Sequence, residues 1–275
     1  MLYLHICYDY IIPYFTVVYA IIGKKGQTDM GIDVTRFINK LDDHLARNDM
    51  KGAKECLSFW ESEARRVGDD RGLLTVLNES VGFFRRASKK DRALNYMEEC
   101  LSLIDKLGLS ESISGATVFI NSATTMSFFG QEEEALKLYD RAALCFVKAG
   151  MTESYEYASL LNNKAATLYG LLRYDEAKKD WLEAIDILKK TGFHDGEIAI
   201  SLLMLAHLTF DSDDTAYEKV ESLLDEAWEY LNSDNQPKDK RYAEVLRKCV
   251  PSFEYFKRPM EANALREVIK EISFS

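Results

Sequence analysis

Asparagine residues recur at matched places along the chain, each behind bulky apolar residues, and their amides are groups that could bind a peptide. Asn39, Asn121 and Asn163 each lie 14 residues before an alanine, Asn78 lies 15 residues before another, and Asn162 adjoins Asn163. A primary amide both donates and accepts hydrogen bonds, so it can bind a peptide main chain whatever the peptide's side chains are. If the spacing reflects an internal repeat, these asparagines lie in a row on one surface.

Residues that would carry catalysis or bind a metal do not converge in the sequence. The four histidines are scattered, and there is no HExxH, no Cys-His pair at a motif spacing and no Ser nucleophile elbow. The acidic run 132–134 opens a helix, where negative charge is favourable. The stretch 211–215 (DSDDT) lacks the glycine and the glutamate of a calcium loop. The sequence therefore predicts a protein that is not an enzyme, with no cofactor and no metal site.

The composition points to a globular, helical protein. Of 275 residues, 47% are hydrophobic and 29% charged, prolines number only four, and alternating strand-like runs are missing. The net charge of -10 repels phosphate backbones, which argues against nucleic acid as a partner. Five cysteines without a CxxC pair fit a reducing compartment, so we expect a cytoplasmic protein.

Small residues mark a repeat of about 42 residues. Its key positions fall at a nearly constant spacing, at Ala53, Ala93, Ala135, Ala177, Val220 and Ala262. Ala135 and Ala177 each begin a helical pattern with apolar residues 4, 7, 8 and 11 positions later. Four of the repeats end in a basic residue near a glycine, which is typical of a helix C-terminus, at Gly68, Gly108, Gly150 and Gly192. The sequence therefore predicts six units of two helices each.

The residue types within a unit favour one repeat family over the HEAT and armadillo repeats of similar length. A small residue and a bulky one in the first helix (Ala165, Leu168) are followed by an alanine, an aromatic and a second small residue in the second helix (Ala177, Trp181, Ala184). Residues 32 to about 272 thus resemble the tetratricopeptide repeat family, in the long-helix variety of kinesin light chains and of bacterial regulators of the MalT and Rap type. The resemblance implies an all-α fold, a right-handed α-solenoid of about six units. The first and last units depart from the pattern, as terminal units do.

The resemblance also implies where a ligand would bind. In this family, first-helix residues at the offset of the asparagines line the concave groove of the superhelix. The predicted peptide-binding groove comprises polar first-helix residues, namely Asn39, Asn78, Asn121, Asn162, Asn163, Thr117, Thr124, Ser159, Tyr169, Lys164 and Lys248. The alternative is structural: such an asparagine could bond the adjacent unit or face solvent.

Residues 1–29 differ from the rest and are treated as an apolar leader, separate from a single solenoid domain over 30–275. The uncharged stretch 11–22 is short of the ~20 residues that a membrane-spanning helix needs, and no basic residue precedes it as in a secretory signal. One hypothesis is that translation starts at Met30, because Lys24-Lys25-Gly26 is encoded by a purine run that resembles a bacterial ribosome-binding site. The other is an N-terminal helix that caps the first unit.

The predicted function is that of a non-catalytic adaptor, which holds an extended peptide or a segment of a partner protein in its concave groove. A signalling-peptide sensor of the Rap type, which captures or releases a second protein, is the first alternative. A subunit that self-associates through an end unit is another. The sequence leaves the oligomeric state open and makes a membrane partner an unfavoured choice.

Overall fold

The computed structural model describes residues 31–233 and 238–274. Over these residues the chain is helical and contains no strand. The helices, in chain order, are α1 (Val34–Ala46), α2 (Met50–Val67), α3 (Asp70–Arg86), α4 (Lys90–Lys106), α5 (Ile113–Phe128), α6 (Glu132–Ala149), α7 (Tyr155–Gly170), α8 (Tyr174–Thr191), α9 (Asp195–Ser212), α10 (Tyr217–Leu231), α11 (Lys240–Tyr255) and α12 (Pro259–Phe274).

Local signals in the sequence set where these helices begin and end. Asp49 and Asp69 each accept a hydrogen bond of 2.9 Å from the backbone N–H three residues later, and so cap α2 and α3. Ser112 and Ser154 do the same for α5 and α7. The four glycines predicted to follow helices all have a positive φ, between 65° and 74°. That conformation is easily reached only by glycine, which confirms the predicted helix ends.

The chain divides into two compact units, of which the first ends at Gly150. In this N-terminal unit, α1 to α6 form three helix pairs, and the first helices of the second and third pairs, α3 and α5, pack against each other. The key alanines Ala53, Ala93 and Ala135 have no exposed surface. Because they carry only a methyl group, the second helix of each pair can approach its neighbours closely. Large side chains fill the remaining core, among them Phe37, Phe119, Tyr139 and Phe146.

The C-terminal unit begins at Met151 and contains α7 to α12. It repeats the same arrangement, with Ala177 and Ala262 fully buried and Val220 nearly so. Helix α9 packs against α8, α10 and α11 and is therefore buried on most of its surface. Trp181 and Phe253 are the largest side chains of this core.

The predicted fold class, an all-α solenoid of helix pairs at a spacing of about 42 residues, is confirmed. The assignment of 30–275 to a single domain stays a prediction beside the two compact units. The leader, 1–29, lies outside the described residues. Among the described helices, none is both long and apolar enough to cross a membrane.

Candidate functional site

In the N-terminal unit, two of the predicted asparagines bond each other across neighbouring first helices. The Nδ2 of Asn121 on α5 donates to the backbone oxygen of Asn78 on α3 at 2.8 Å and to its side-chain Oδ1 at 3.1 Å. Both residues are buried. Bonds of this kind tie α3 to α5, so in the free chain these amides stabilise the packing of adjacent repeats.

Arg85 completes this group. Its Nη1 donates to Asn121 Oδ1 at 2.7 Å, to the Asn121 backbone oxygen at 3.3 Å and to Thr125 Oγ1 at 3.0 Å. We call Asn78, Gly82, Arg85, Asn121 and Thr125 the Arg85 cluster. Gly82 leaves space here, since a Cβ atom at this position would lie only 3.8 to 4.0 Å from Arg86 Nη1, Asn121 Oδ1 and Arg85 Nη2. The Nε and Nη2 atoms of Arg85 have no hydrogen-bond partner among the described residues.

Charged side chains surround the Arg85 cluster. Burial raises the pKa of the half-buried Glu79 carboxyl to about 7. The positive charge of Arg86 lowers this pKa, and the negative charge of Asp42 on α1 raises it. Burial, and then the neighbouring Arg86, lower the pKa of Arg85 to about 10. Both guanidinium groups nevertheless stay charged at neutral pH. The first-helix surface of this unit therefore presents two cations beside Glu79, whose pKa is raised to about 7.

The asparagines of the C-terminal unit differ from those of the N-terminal unit in their hydrogen bonds. Asn162 Oδ1 accepts a hydrogen bond of 2.8 Å from Ser201 Oγ on α9, so this amide also bonds the next first helix. However, the Nδ2 atoms of Asn162 and Asn163 are both buried and have no acceptor among the described residues. The residues themselves are 7% and 2% exposed. A buried amide that lacks an acceptor costs about 1–3 kcal/mol.

The remaining predicted residues of the C-terminal unit line its first helices at varied depth. Lys164 on α7 and Lys248 on α11 are half-buried. Lys164 lies near Asp180 on α8, whose pKa burial raises to about 6 although Lys164 opposes the change. The Tyr169 hydroxyl donates a hydrogen bond to Asp211 on α9. Ser159 is buried on α7, one turn before Asn163.

The other predicted residues of the N-terminal unit are not brought together with the Arg85 cluster. Asn39 on α1 is exposed. Thr117 is fully buried, and its hydroxyl donates to the Ile113 backbone oxygen one turn earlier. Thr124 Oγ1 lies 3.0 Å from the Tyr139 hydroxyl on α6, inside the helix pair.

A comparison with protein families then decides what the repeat is. The sequence profile of the tetratricopeptide repeat family matches residues 158–191, which include most of α7, all of α8 and the Asn162–Asn163 pair. Residues 158–191 are a tetratricopeptide repeat. No curated protein sequence matches it.

Solved structures of tetratricopeptide repeat proteins share this fold. BtubC (BKLC) from P. vanneervenii is similar over 72% of this chain and 79% of its own, with 20% sequence identity and a TM-score of 0.64. A Podosopora anserina protein described as having kinesin light chain nearly identical TPR-like repeats is similar over 73% and 94%, with 17% identity and a TM-score of 0.53. A variant of that protein is similar over 72% and 93%, with 18% identity and a TM-score of 0.54. At such identities the likeness establishes the fold alone.

The sequence analysis did not predict the part played by three side chains, namely Arg85, Thr125 and Ser201. Arg85 lies seven residues after Asn78 and therefore on the same helix face, and Thr125 lies four after Asn121. Helical spacing counted from the asparagines could have found both. Ser201 carries no such signal, since it stands in a helix without an asparagine. Chemically, the assembled groups donate and accept hydrogen bonds, and the side chains named here include no nucleophile with an activating base.

Proposed function

We propose that this chain is a non-catalytic scaffold whose first helices hold an extended peptide, or an extended segment of a partner protein, by its main chain. Tetratricopeptide repeats generally mediate protein–protein interaction. The proposal goes further, because it assigns the contact to predicted groove residues within each unit, with Asn162 and Asn163 as its centre and without Thr117 and Thr124, which are bonded inside their own unit. It gives the protein a peptide partner and no nucleic acid, in keeping with a net charge of -10.

The observation that carries the proposal is the pair of amide donors, Asn162 Nδ2 and Asn163 Nδ2, buried without an acceptor in the described chain. Natural proteins rarely keep such groups, since each sacrifices stability. A peptide carbonyl oxygen would satisfy a donor of this kind. In an extended peptide, the carbonyl groups of successive residues point to opposite sides.

The N-terminal unit supports the proposal in a second way. Arg85 is held by three hydrogen bonds through a single nitrogen, which fixes its orientation and leaves two other nitrogens without partners in the described chain. A guanidinium oriented in this way loses little conformational entropy when it binds a ligand. Gly82 keeps the adjacent space clear of any side chain.

The test begins with a peptide selected from a random library on the immobilised full chain, whose affinity is then measured by calorimetry. The variant Asn162→Ala/Asn163→Ala removes two hydrogen-bond donors at about 0.5–1.5 kcal/mol each, so we expect dissociation constants about 5- to 150-fold higher. Asn95→Ala, on α4 and outside the predicted groove, is the matched control and should bind like the wild type. Equal affinity of all three proteins would exclude these amides from the binding site.

A further inference from the structure

A carboxylate lies close to the asparagine pair of the C-terminal unit. The Ser201 hydroxyl on α9 lies 2.8 Å from Asn162 Oδ1 and 2.9 Å from the backbone oxygen of Glu197. Glu197 precedes Ser201 by four residues, so the two side chains share one face of α9, about 6 Å apart along its axis. The proposed peptide site therefore has an acid at its edge.

This carboxylate is bonded on one side. The Glu197 side chain is 12% exposed, and its Oε1 accepts a hydrogen bond of 3.2 Å from the Tyr155 hydroxyl on α7. Arg241 on α11 approaches the same oxygen to 3.8 Å, which is too long for a hydrogen bond. Both contacts use Oε1, so Oε2 has no hydrogen-bond partner among the described residues. A carboxylate oriented through one oxygen can accept a donor from a ligand on the other.

The charges around Glu197 are mostly negative. Burial lowers the pKa of the neighbouring His194, so its imidazole is neutral at pH 7. The Arg241 guanidinium also lowers this pKa, whereas nearby carboxylates raise it, namely Glu197, Glu156 and Asp195. Three negative charges and one positive charge thus act on His194. A neighbourhood with this balance attracts a cation.

Aromatic rings lie beside the carboxylate. The rings of Tyr155 and His194 stack with their centroids 4.4 Å apart, and the Tyr155 hydroxyl bonds Glu197. Both residues are half-buried, so part of each ring faces solvent. The stem of a Lys or Arg side chain packs well on such rings while its charged end reaches an acid.

Polar groups without partners are a second feature that points to a ligand at this place. Asn162 and Asn163, 7% and 2% exposed, each have an Nδ2 without an acceptor in the described chain. Ser159 lies one turn after Tyr155 on the same face of α7. It is 3% exposed, and its Oγ likewise has no partner among the described residues. A ligand that reaches Glu197 therefore also meets groups that would gain hydrogen bonds.

We propose that Glu197 is a specificity-determining residue of the peptide site and binds a Lys or Arg side chain of the extended peptide. The inference rests on the proposed function and adds the chemical class of the ligand, a peptide with a basic residue next to the segment held by Asn162 and Asn163. Such a peptide supplies main-chain acceptors to the amides and a cation to the carboxylate. The net charge of -10 favours its approach.

Selection from a random peptide library on the immobilised full chain, repeated on two variants, tests the inference. Peptides selected by the wild type should be enriched in Lys and Arg at one position. Glu197→Gln should abolish this enrichment, because the amide keeps the size of the carboxyl group and loses its charge. Glu229→Gln, exposed on the second helix α10, removes one negative charge elsewhere and should preserve the enrichment. Circular dichroism confirms that each variant keeps its helices.

Calorimetry then measures the contact on one selected peptide and on the same peptide with its basic residue replaced by methionine. The replacement should weaken binding to the wild type about 10-fold, as expected for the loss of a hydrogen bond between charged groups. It should weaken binding to Glu197→Gln by less than about 2-fold, because the acid is already gone.

Two results would overturn this inference and leave the proposed function standing. Selected peptides could depend on Asn162 and Asn163 yet carry no basic residue, or the methionine peptide could lose the same affinity for the wild type and for Glu197→Gln. Failure of the proposed function looks different: no peptide is selected, or Asn162→Ala/Asn163→Ala binds the selected peptides as tightly as the wild type. In that case the inference about Glu197 falls with it.

Discussion

Two asparagine-to-alanine substitutions at corresponding positions should have different consequences for stability. Asn121→Ala removes an amide that accepts a bond from the charged Arg85 and donates to Asn78. A hydrogen bond to a charged group contributes about 1.5–3 kcal/mol and a neutral one about 1 kcal/mol, so the free energy of unfolding should fall by about 2–4 kcal/mol. Asn163→Ala removes an amide nitrogen that has no acceptor in the described chain and should change it by less than about 1 kcal/mol.

Urea unfolding followed by circular dichroism measures both changes, and a double-mutant cycle isolates the Arg85 contribution. Combining Asn121→Ala with Arg85→Met should give a coupling of about 1.5–3 kcal/mol, because the two side chains share the 2.7 Å bond. The reasoning is refuted if Asn163→Ala costs as much as Asn121→Ala. A coupling near zero would likewise show that the Arg85 cluster does not hold α3 to α5.

Three further predictions concern charge and packing. Burial lowers the pKa of His207 to about 4, so between pH 6.5 and 4 the unfolded state binds a proton that the folded state lacks. The free energy of unfolding should therefore fall by up to about 3 kcal/mol as the pH is lowered from 6.5 to 4. His207→Gln should remove this fall in urea titrations at several pH values. The raised pKa of Glu79, about 7, has the opposite effect on stability: the free energy of unfolding falls as the pH rises, because the folded state holds a proton that the unfolded state releases above pH 4.5. Glu79→Gln should therefore raise the free energy of unfolding by about 1–2 kcal/mol at pH 8, after allowance for solvent screening, and by less at pH 4.5. Gly115→Ala should lower the thermal midpoint, since its Cβ would lie 2.2 Å from the Leu109 backbone oxygen and overpacking of this kind costs about 1–3 kcal/mol.

The sequence predicted the parts of the fold that follow from spacing. The key alanines, the glycines that end the second helices and the apolar stripes recur at about 42 residues because every repeat must bury the same face against its neighbours. Cys100 and Cys145 are buried as free thiols within the second helices of their repeats. These features depend on local conformation and helix packing, which can be predicted from the spacing of residue types in one sequence.

The candidate site was harder to predict because it depends on which side chain meets which. Spacing placed Asn121 and Asn163 at equivalent positions, yet Asn121 Nδ2 finds its acceptors on Asn78 of the neighbouring first helix, whereas Asn163 Nδ2 has no acceptor among the described residues. Thr124 was counted with the groove, but its hydroxyl bonds that of Tyr139 inside the helix pair. The repeat spacing does not predict side-chain rotamers or hydrogen-bond partners on neighbouring helices.

Replacing single amides of a bound peptide by esters would test most directly whether the first-helix asparagines bind a peptide main chain. An ester carbonyl is a weaker acceptor than an amide carbonyl, so one replacement should weaken binding to the wild type by about 3- to 10-fold, in line with the loss of one hydrogen bond. The same replacement should weaken binding to Asn163→Ala by less than about 2-fold, because the donor is already gone. If every ester peptide loses the same affinity for both proteins, Asn163 does not contact the peptide main chain, and the proposed mode of binding is wrong.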